Sequence, residues 1–254
     1  MKKNIFVIAI LSLSLFGCSN FERNSLASTY EIESFFTSRL SMSQPSKSYN
    51  FSVKMNYKDI SRTGSQKESV DVEGRVTYGY ETSNTYYKGS YKLSEISYSG
   101  AIEKYAKSIK EEGTILNENT FYVDQKVVRT SNDLKQENHY KQIYNLSSTT
   151  TSFSLSSEII EVIPSFSFES FLSLENIEDL YNLKVYIEGN DCLIIDTTES
   201  YQHECEIYFD EYNYFEKIVI RQKDANLTSE IVFDFGDVES IYAPSNTSDY
   251  KYIY

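Results

Sequence analysis

The chain has 254 residues with 24 basic and 37 acidic side chains, a formal charge of −13 at pH 7, and its 23 Tyr and 15 Phe stand beside no Trp, 9 Gly and 3 Pro. An anionic balance of this size disfavours nucleic acid and anionic headgroups as partners. The aromatic and β-branched content favours sheet over helix, and a chain of this length suffices for one domain with a sizeable core or, at the limit, two small ones.

The first segment runs from Lys2-Lys3 through the apolar stretch Ile5 to Phe16 to Gly17-Cys18. It has the charged start, apolar middle and small-residue cleavage position of an exported precursor. The stretch is lightly broken by Ser12 and Ser14 and falls short of the roughly 17–25 residues of a spanning helix. Leu15-Phe16-Gly17-Cys18 resembles the lipobox of bacterial lipoproteins, with a leucine three places before the cysteine and a small residue just before it; Phe16 is bulkier than usual there. The resemblance implies a signal peptide over 1–17, cleaved before Cys18, whose sulfur then carries diacylglycerol; the cysteine would be lipidated, with acyl chains such as palmitate. Burial is worth about 0.8 kcal/mol per CH2, so two chains anchor stably where one does not. The other reading is an ordinary cleaved signal with an incidental cysteine. Lipidation would place the body at the cell membrane, exposed outside the cytoplasm, and loss of Lys2 and Lys3 would leave a formal charge of about −15.

Residues 18–29 are mostly polar and are expected to form a tether. A helix should follow, because Ser28 and Glu31 have capping-box spacing and Ile32, Phe35, Phe36 and Leu40 share one face; it is expected from Glu31 to Met42, with Pro45 marking the stop. The period then changes to two. Tyr49, Phe51, Val53, Met55 and Tyr57 alternate with polar residues, and so do Val70, Val72, Val76, Tyr78 and Tyr80, then Tyr87, Tyr91 and Leu93. Successive strands with one dry face, joined by polar turns, describe an antiparallel meander.

In the middle, Ile102, Tyr105, Ala106 and Ile109 suit a short helix or a polar edge strand, and the helix is favoured. Phe121 to Val128 reads either as a hairpin around Asp124-Gln125 or as one long kinked strand. Residues 147–157 are Ser/Thr-rich and fit loop or strand. Behind Pro164, Phe168, Phe171 and Leu172 give the stripe of a second short helix or plain core packing. Leu183 to Ile187, Leu193 to Ile195, Cys205 to Phe209, Phe215 to Ile220 and Leu227 to Phe235 carry the strongest strand signal, for nine to eleven strands in all.

The order of elements, an amphipathic helix, long alternating strands from Tyr49, then Phe215 to Ile220, Ile231 to Gly236 and Ala243-Pro244, resembles the LolA/LppX-type half-barrel lipoprotein family over most of residues 30–244. That resemblance implies a mainly β (α+β) fold: a long antiparallel meander over 30–246 curved into a half-open barrel, covered by the N-terminal helix and one or two short ones, with 247–254 as a C-terminal tail. It also implies a space between sheet and helices that holds a lipid or other apolar ligand, which Phe51, Val53, Met55, Val72, Val76 and Tyr78 would line. Alternatively, side chains fill that space and no ligand binds.

Chemistry-bearing patterns are sparse. His139 and His203 lie in polar surroundings and no Gly-x-Ser-x-Gly elbow occurs. Cys and His lack zinc spacing, Asp234-Phe235-Gly236 stands without the other kinase motifs, and EF-hand spacing is missing around Asp210-Glu211 and Asp234. The expectation is therefore no catalytic residue, metal or cofactor. Cys192 and Cys205 fall on adjacent expected strands and face each other if the turn centres near Thr198-Glu199, giving either a disulfide or two buried thiols. Two functions follow: a membrane-tethered carrier of an apolar ligand, or a surface interaction or structural lipoprotein that engages a protein or polysaccharide through a Tyr-rich face.

Overall fold

The computed structural model describes residues 25–40, 48–79, 82–98, 102–145, 158–166, 174–197 and 201–253. Cys18 and the lipobox, Tyr80, the Ser/Thr-rich stretch and the stripe Phe168, Phe171 and Leu172 lie outside the described residues. The chain is mainly β, with twelve strands among the described residues, and divides into two compact units. One comprises 48–163 and 237–254, the other the described part of 1–47 together with 164–236. No helix among the described residues is long and apolar enough to cross a membrane.

The first unit is a meander of β1 (Tyr49–Ser61), β2 (Gly64–Tyr78), β3 (Ser83–Ser97), β4 (Glu103–Leu116), β5 (Thr120–Ser131) and β6 (Leu134–Asn145), each antiparallel to the next. Alternation builds it: Tyr49, Phe51 and Val53 are buried while Lys54 between the dry-face positions is exposed. The β5–β6 turn is the two-residue Asn132-Asp133, both at positive φ (43° and 74°), which matches the right-handed twist of the flanking strands. Residues expected as a tail contribute β12 (Lys251–Ile253), which pairs in parallel with β6.

One expectation is corrected in this unit, and one pair of alternatives is decided. From Glu103 on, the segment expected as a helix over 101–112 is strand β4. The helix pattern misled because the dry-face positions of β4 alternate as Tyr105, Lys107, Ile109, Glu111 and Gly113, so polar residues and a glycine hide the period. Pairing with β3 and β5 satisfies its backbone on both sides and decides the outcome. Of the two readings of Phe121 to Val128, the single long strand is the one found, in unbroken register past Asp124-Gln125 and with its turn at Asn132-Asp133.

The second unit contains α1 (Thr29–Leu40), a 3₁₀ helix (Leu174–Asn182), and β7 (Lys184–Glu188), β8 (Asp191–Thr197), β9 (Tyr201–Phe209), β10 (Phe215–Asp224) and β11 (Leu227–Asp234), antiparallel in the order β11-β10-β9-β8-β7. The capping box is formed: Ser28 N and Oγ each donate to Glu31 Oε2 at 2.7 Å, and Glu31 N donates to Ser28 Oγ at 3.3 Å. These bonds hold the Glu31 carboxyl below its ordinary range. Ile32, Phe35, Phe36 and Leu40 are buried as their spacing requires, and Phe35 meets Phe209 edge-on at 5.8 Å. Ala27 N donates to Val185 O on the outer strand β7 at 2.8 Å. Neither unit's strand order closes on itself, so the strands of each unit form an open array rather than a sealed barrel.

The cysteine register differs from the one that would set the pair face to face. Cys192 stands opposite Ile207 and Cys205 opposite Ile194, so the two are diagonal neighbours and both are free thiols. Diagonal neighbours lie about 7–8 Å apart, beyond the usual reach of a disulfide without backbone movement. Burial pushes both thiols up, Cys205 to about 12.

Candidate functional site: the two faces of the meander

The dry face of β1 to β5 is filled from within. Phe51 stands opposite Gly74, and its ring lies so close that a Cβ on Gly74 would sit 2.5 Å from the ring. A Cβ on Gly89 would meet Ile159 and Val72 at 2.9 Å, and one on Gly113 would meet the Tyr87 ring at 2.3 Å. Three glycines on successive strands thus make room for three large side chains, an arrangement in which rings and aliphatic groups cover bare backbone. Of the residues expected to line a ligand space, Phe51, Val53, Val72 and Val76 are buried on this face and Met55 is half-buried at its end. Tyr78 is 41% exposed, outside that core. A buried carboxylate completes the filling: Glu111, 3% exposed, accepts from Tyr87 Oη at 2.6 Å and from Gln125 Nε2 at 2.5 Å. Lys107 is paired with Glu158 and lies near the Tyr91 ring.

The opposite face is polar and open. Cross-strand register aligns Glu73, Lys88, Glu112, Asp124 and Lys141 in one row, and Asp71, Ser90, Lys110, Lys126 and His139 in the next. Lys88 faces Glu73 and Glu112, and Lys141 faces Asp124, as opposite charges that attract across strands, whereas Glu112 faces Asp124 and Lys110 faces Lys126 as like charges. Asp124 accepts from His139 Nε2 at 2.6 Å and lies 3.4 Å from Lys141 Nζ, which raises the lysine above its ordinary value. A depression of about 560 Å³ opens here, with Lys88, Lys110, Glu112, Asp124 and His139 on its walls.

A second depression, about 270 Å³, adjoins it, because Glu112 and Asp124 line both. The row Arg75, Tyr86, Thr114 and Tyr122 forms its floor. The returning segment 240–250 forms its wall: Ile241 is buried, and the Tyr250 ring stands edge-on to Tyr122 at 5.9 Å. β12 on β6 pins that segment down. Tyr86 Oη donates to Glu112 Oε1 at 2.9 Å while the Arg75 guanidinium lies 4.6 Å over its ring. Burial first, then Glu112, push the Tyr86 hydroxyl up to about 12, so it is a neutral donor at ordinary pH. Tyr86, Tyr122 and Tyr250 are half-buried and Tyr242 is 78% exposed.

None of these four tyrosines stands out in the sequence. The one available signal is Tyr86-Tyr87, since adjacent strand residues point to opposite faces. His139 is an exposed surface histidine paired with Asp124, and His203 stands opposite Asp196 and Gln222. In the other unit, Arg221 binds Glu206 at 2.5 Å and Glu230 at 2.9 Å. Among the described residues no group of three or more His, Cys, Asp and Glu could hold a metal ion. No protein-family model and no curated protein matches this chain.

Proposed function

We propose that the chain is an extracytoplasmic lipoprotein without catalytic machinery, anchored at the cell membrane through lipid on Cys18, that presents the polar, tyrosine-bearing face of β2 to β6 to a surface partner. One observation carries this reading over the carrier reading: Phe51, Tyr87 and Ile159 lie directly over the glycines of the dry face, where an acyl chain would have to enter. The tyrosines of the opposite face offer the large amphipathic area that recognition surfaces use, at low cost in side-chain entropy. The lipobox resemblance supplies the anchor, and the acidic body disfavours both nucleic acid and close contact with anionic headgroups.

The test has two arms. Wild-type protein should incorporate a labelled palmitate and sediment with membranes, and Cys18→Ala should lose the label and become soluble. A labelled, membrane-bound Cys18→Ala protein would overturn the anchor. A photo-reactive residue introduced at Tyr242 should cross-link a partner on intact cells, whereas one at Tyr212, exposed in the other unit, should not. Equal cross-linking from both would overturn the role of this face.

A further inference from the structure

We infer that the partner held on this face is a neutral glycan chain, seated with sugar rings against Tyr86, Tyr122 and Tyr250; the inference rests on the proposed display of the same face. Three half-buried phenol rings meet in one depression of about 270 Å³, a scale that suits a single compact ring rather than the broad contact of a protein partner. A pyranose has an apolar C–H face to lay on such rings and a rim of hydroxyls that both donate and accept.

The polar groups around the rings match that rim. Of the lining groups Glu112 and Asp124 accept and Arg75 donates, with Lys141 beside Asp124, so adjacent hydroxyls can be bonded in both senses. Both of its cations are already paired with carboxylates of the protein. Arg75 lies 3.5 Å from Glu239, and Lys141 lies 3.4 Å from Asp124 and 3.9 Å from Asp249. A cationic ligand would compete with the protein's own cations for the rings, since Arg75 already lies over Tyr86 and Lys141 lies 5.7 Å from the Tyr250 centroid. A polyanionic ligand would meet a chain of formal charge −13. An uncharged polyol meets neither obstacle.

Continuity argues for a chain rather than a single sugar. Glu112 and Asp124 are shared with the larger depression, so the polar groove continues across the strands toward Lys88, Lys110 and His139. From β2 to β6 it crosses four inter-strand spacings, roughly 19 Å. That length accommodates several linked sugar residues, with the tyrosine end as the anchoring subsite.

The experiment titrates the full chain with chitotetraose, cellotetraose and maltotetraose, followed by calorimetry and by saturation-transfer NMR. At least one should bind with a dissociation constant of about 1 mM or tighter. Tyr122→Ala and Tyr250→Ala should each weaken it roughly tenfold or more, while Tyr122→Phe, which keeps the ring, and Tyr212→Ala on the other unit should change it by less than about threefold. Tyr122→Phe separates loss of stacking from loss of fold. Absence of binding by all three, or unchanged binding in Tyr122→Ala, overturns the glycan assignment. Capture of a protein by the Tyr242 cross-linker together with no glycan binding would overturn it too, yet leave the display reading standing; loss of both arms would bring down both.

Discussion

Tyr87 and Gly113 are fitted to each other: the ring crosses the glycine so closely that a Cβ there would lie 2.3 Å from it, and the ring's hydroxyl ends on Glu111 at 2.6 Å. The contact explains how a carboxylate can sit 3% exposed on the dry face, since it receives donors from Tyr87 and Gln125. Burial and Glu111 together raise the Tyr87 hydroxyl far above its ordinary value, so it stays a donor.

Gly113→Ala should therefore destabilise the protein. The added methyl meets a packed ring that can move only by disturbing its bond to Glu111, and overpacking of this kind costs about 1–3 kcal/mol. The urea midpoint should fall with little change in slope.

Tyr87→Phe keeps the ring over Gly113 and removes only a donor from the buried carboxylate. The expected cost is about 1–3 kcal/mol. Glu111→Gln in the Tyr87→Phe background should recover part of it, because a neutral amide is less costly to leave under-bonded, and a double-mutant cycle on unfolding free energies checks this.

Arg221 is the shared partner of Glu206, which is 2% exposed, and Glu230. Burial works to lower its pKa, but the two carboxylates outweigh that and the net direction is upward. Arg221→Met strands Glu206 in the interior and should cost about 3–5 kcal/mol, whereas pairing it with Glu206→Leu should recover most of the loss. Thermal unfolding of the single and double variants measures both.

The capping box gives a pH signature. The folded Glu31 carboxyl is held below its ordinary value near 4.5 by Ser28. Its contribution is thus present above the unfolded value and lost as pH falls through the lowered folded value. Ser28→Ala should destabilise at neutral pH, and the gap to the parent should close in acid. A gap independent of pH would contradict the assignment.

Cys192 and Cys205, with thiols pushed up by burial and a diagonal register, should stay unmodified by iodoacetamide in the native protein at pH 8 and react once unfolded. A purified mass lower by two hydrogens, restored by reductant, would contradict the free-thiol geometry.

The strands were legible wherever side chains kept strict alternation, as in Tyr49 to Met55 and Leu193 to Ile195. β4 was not, because Lys107, Glu111 and Gly113 hold dry-face positions through partners elsewhere in the chain: Glu158, Gln125 and Tyr87. The α1 cap was readable because it is local. The tyrosine depression was not, since Tyr122 and Tyr250 meet only after β12 pairs in parallel with β6, a long-range register that no local pattern encodes. The apolar residues Phe51, Val53, Val72 and Val76 were placed on one face by their period. Period alone could not tell whether that face stays open, because the answer depends on Tyr87 and Ile159 lying over glycines of other strands.

The dry face is filled from within, and the proposed anchor at Cys18 leaves the opposite, polar face free for a partner. Native mass spectrometry of the full-length protein, purified from membranes in a mild detergent and then stripped of it, reads both ends of that claim. The predicted result is a single species whose only lipid is covalently attached at Cys18; a stoichiometric lipid released from the body without breaking a covalent bond would contradict it.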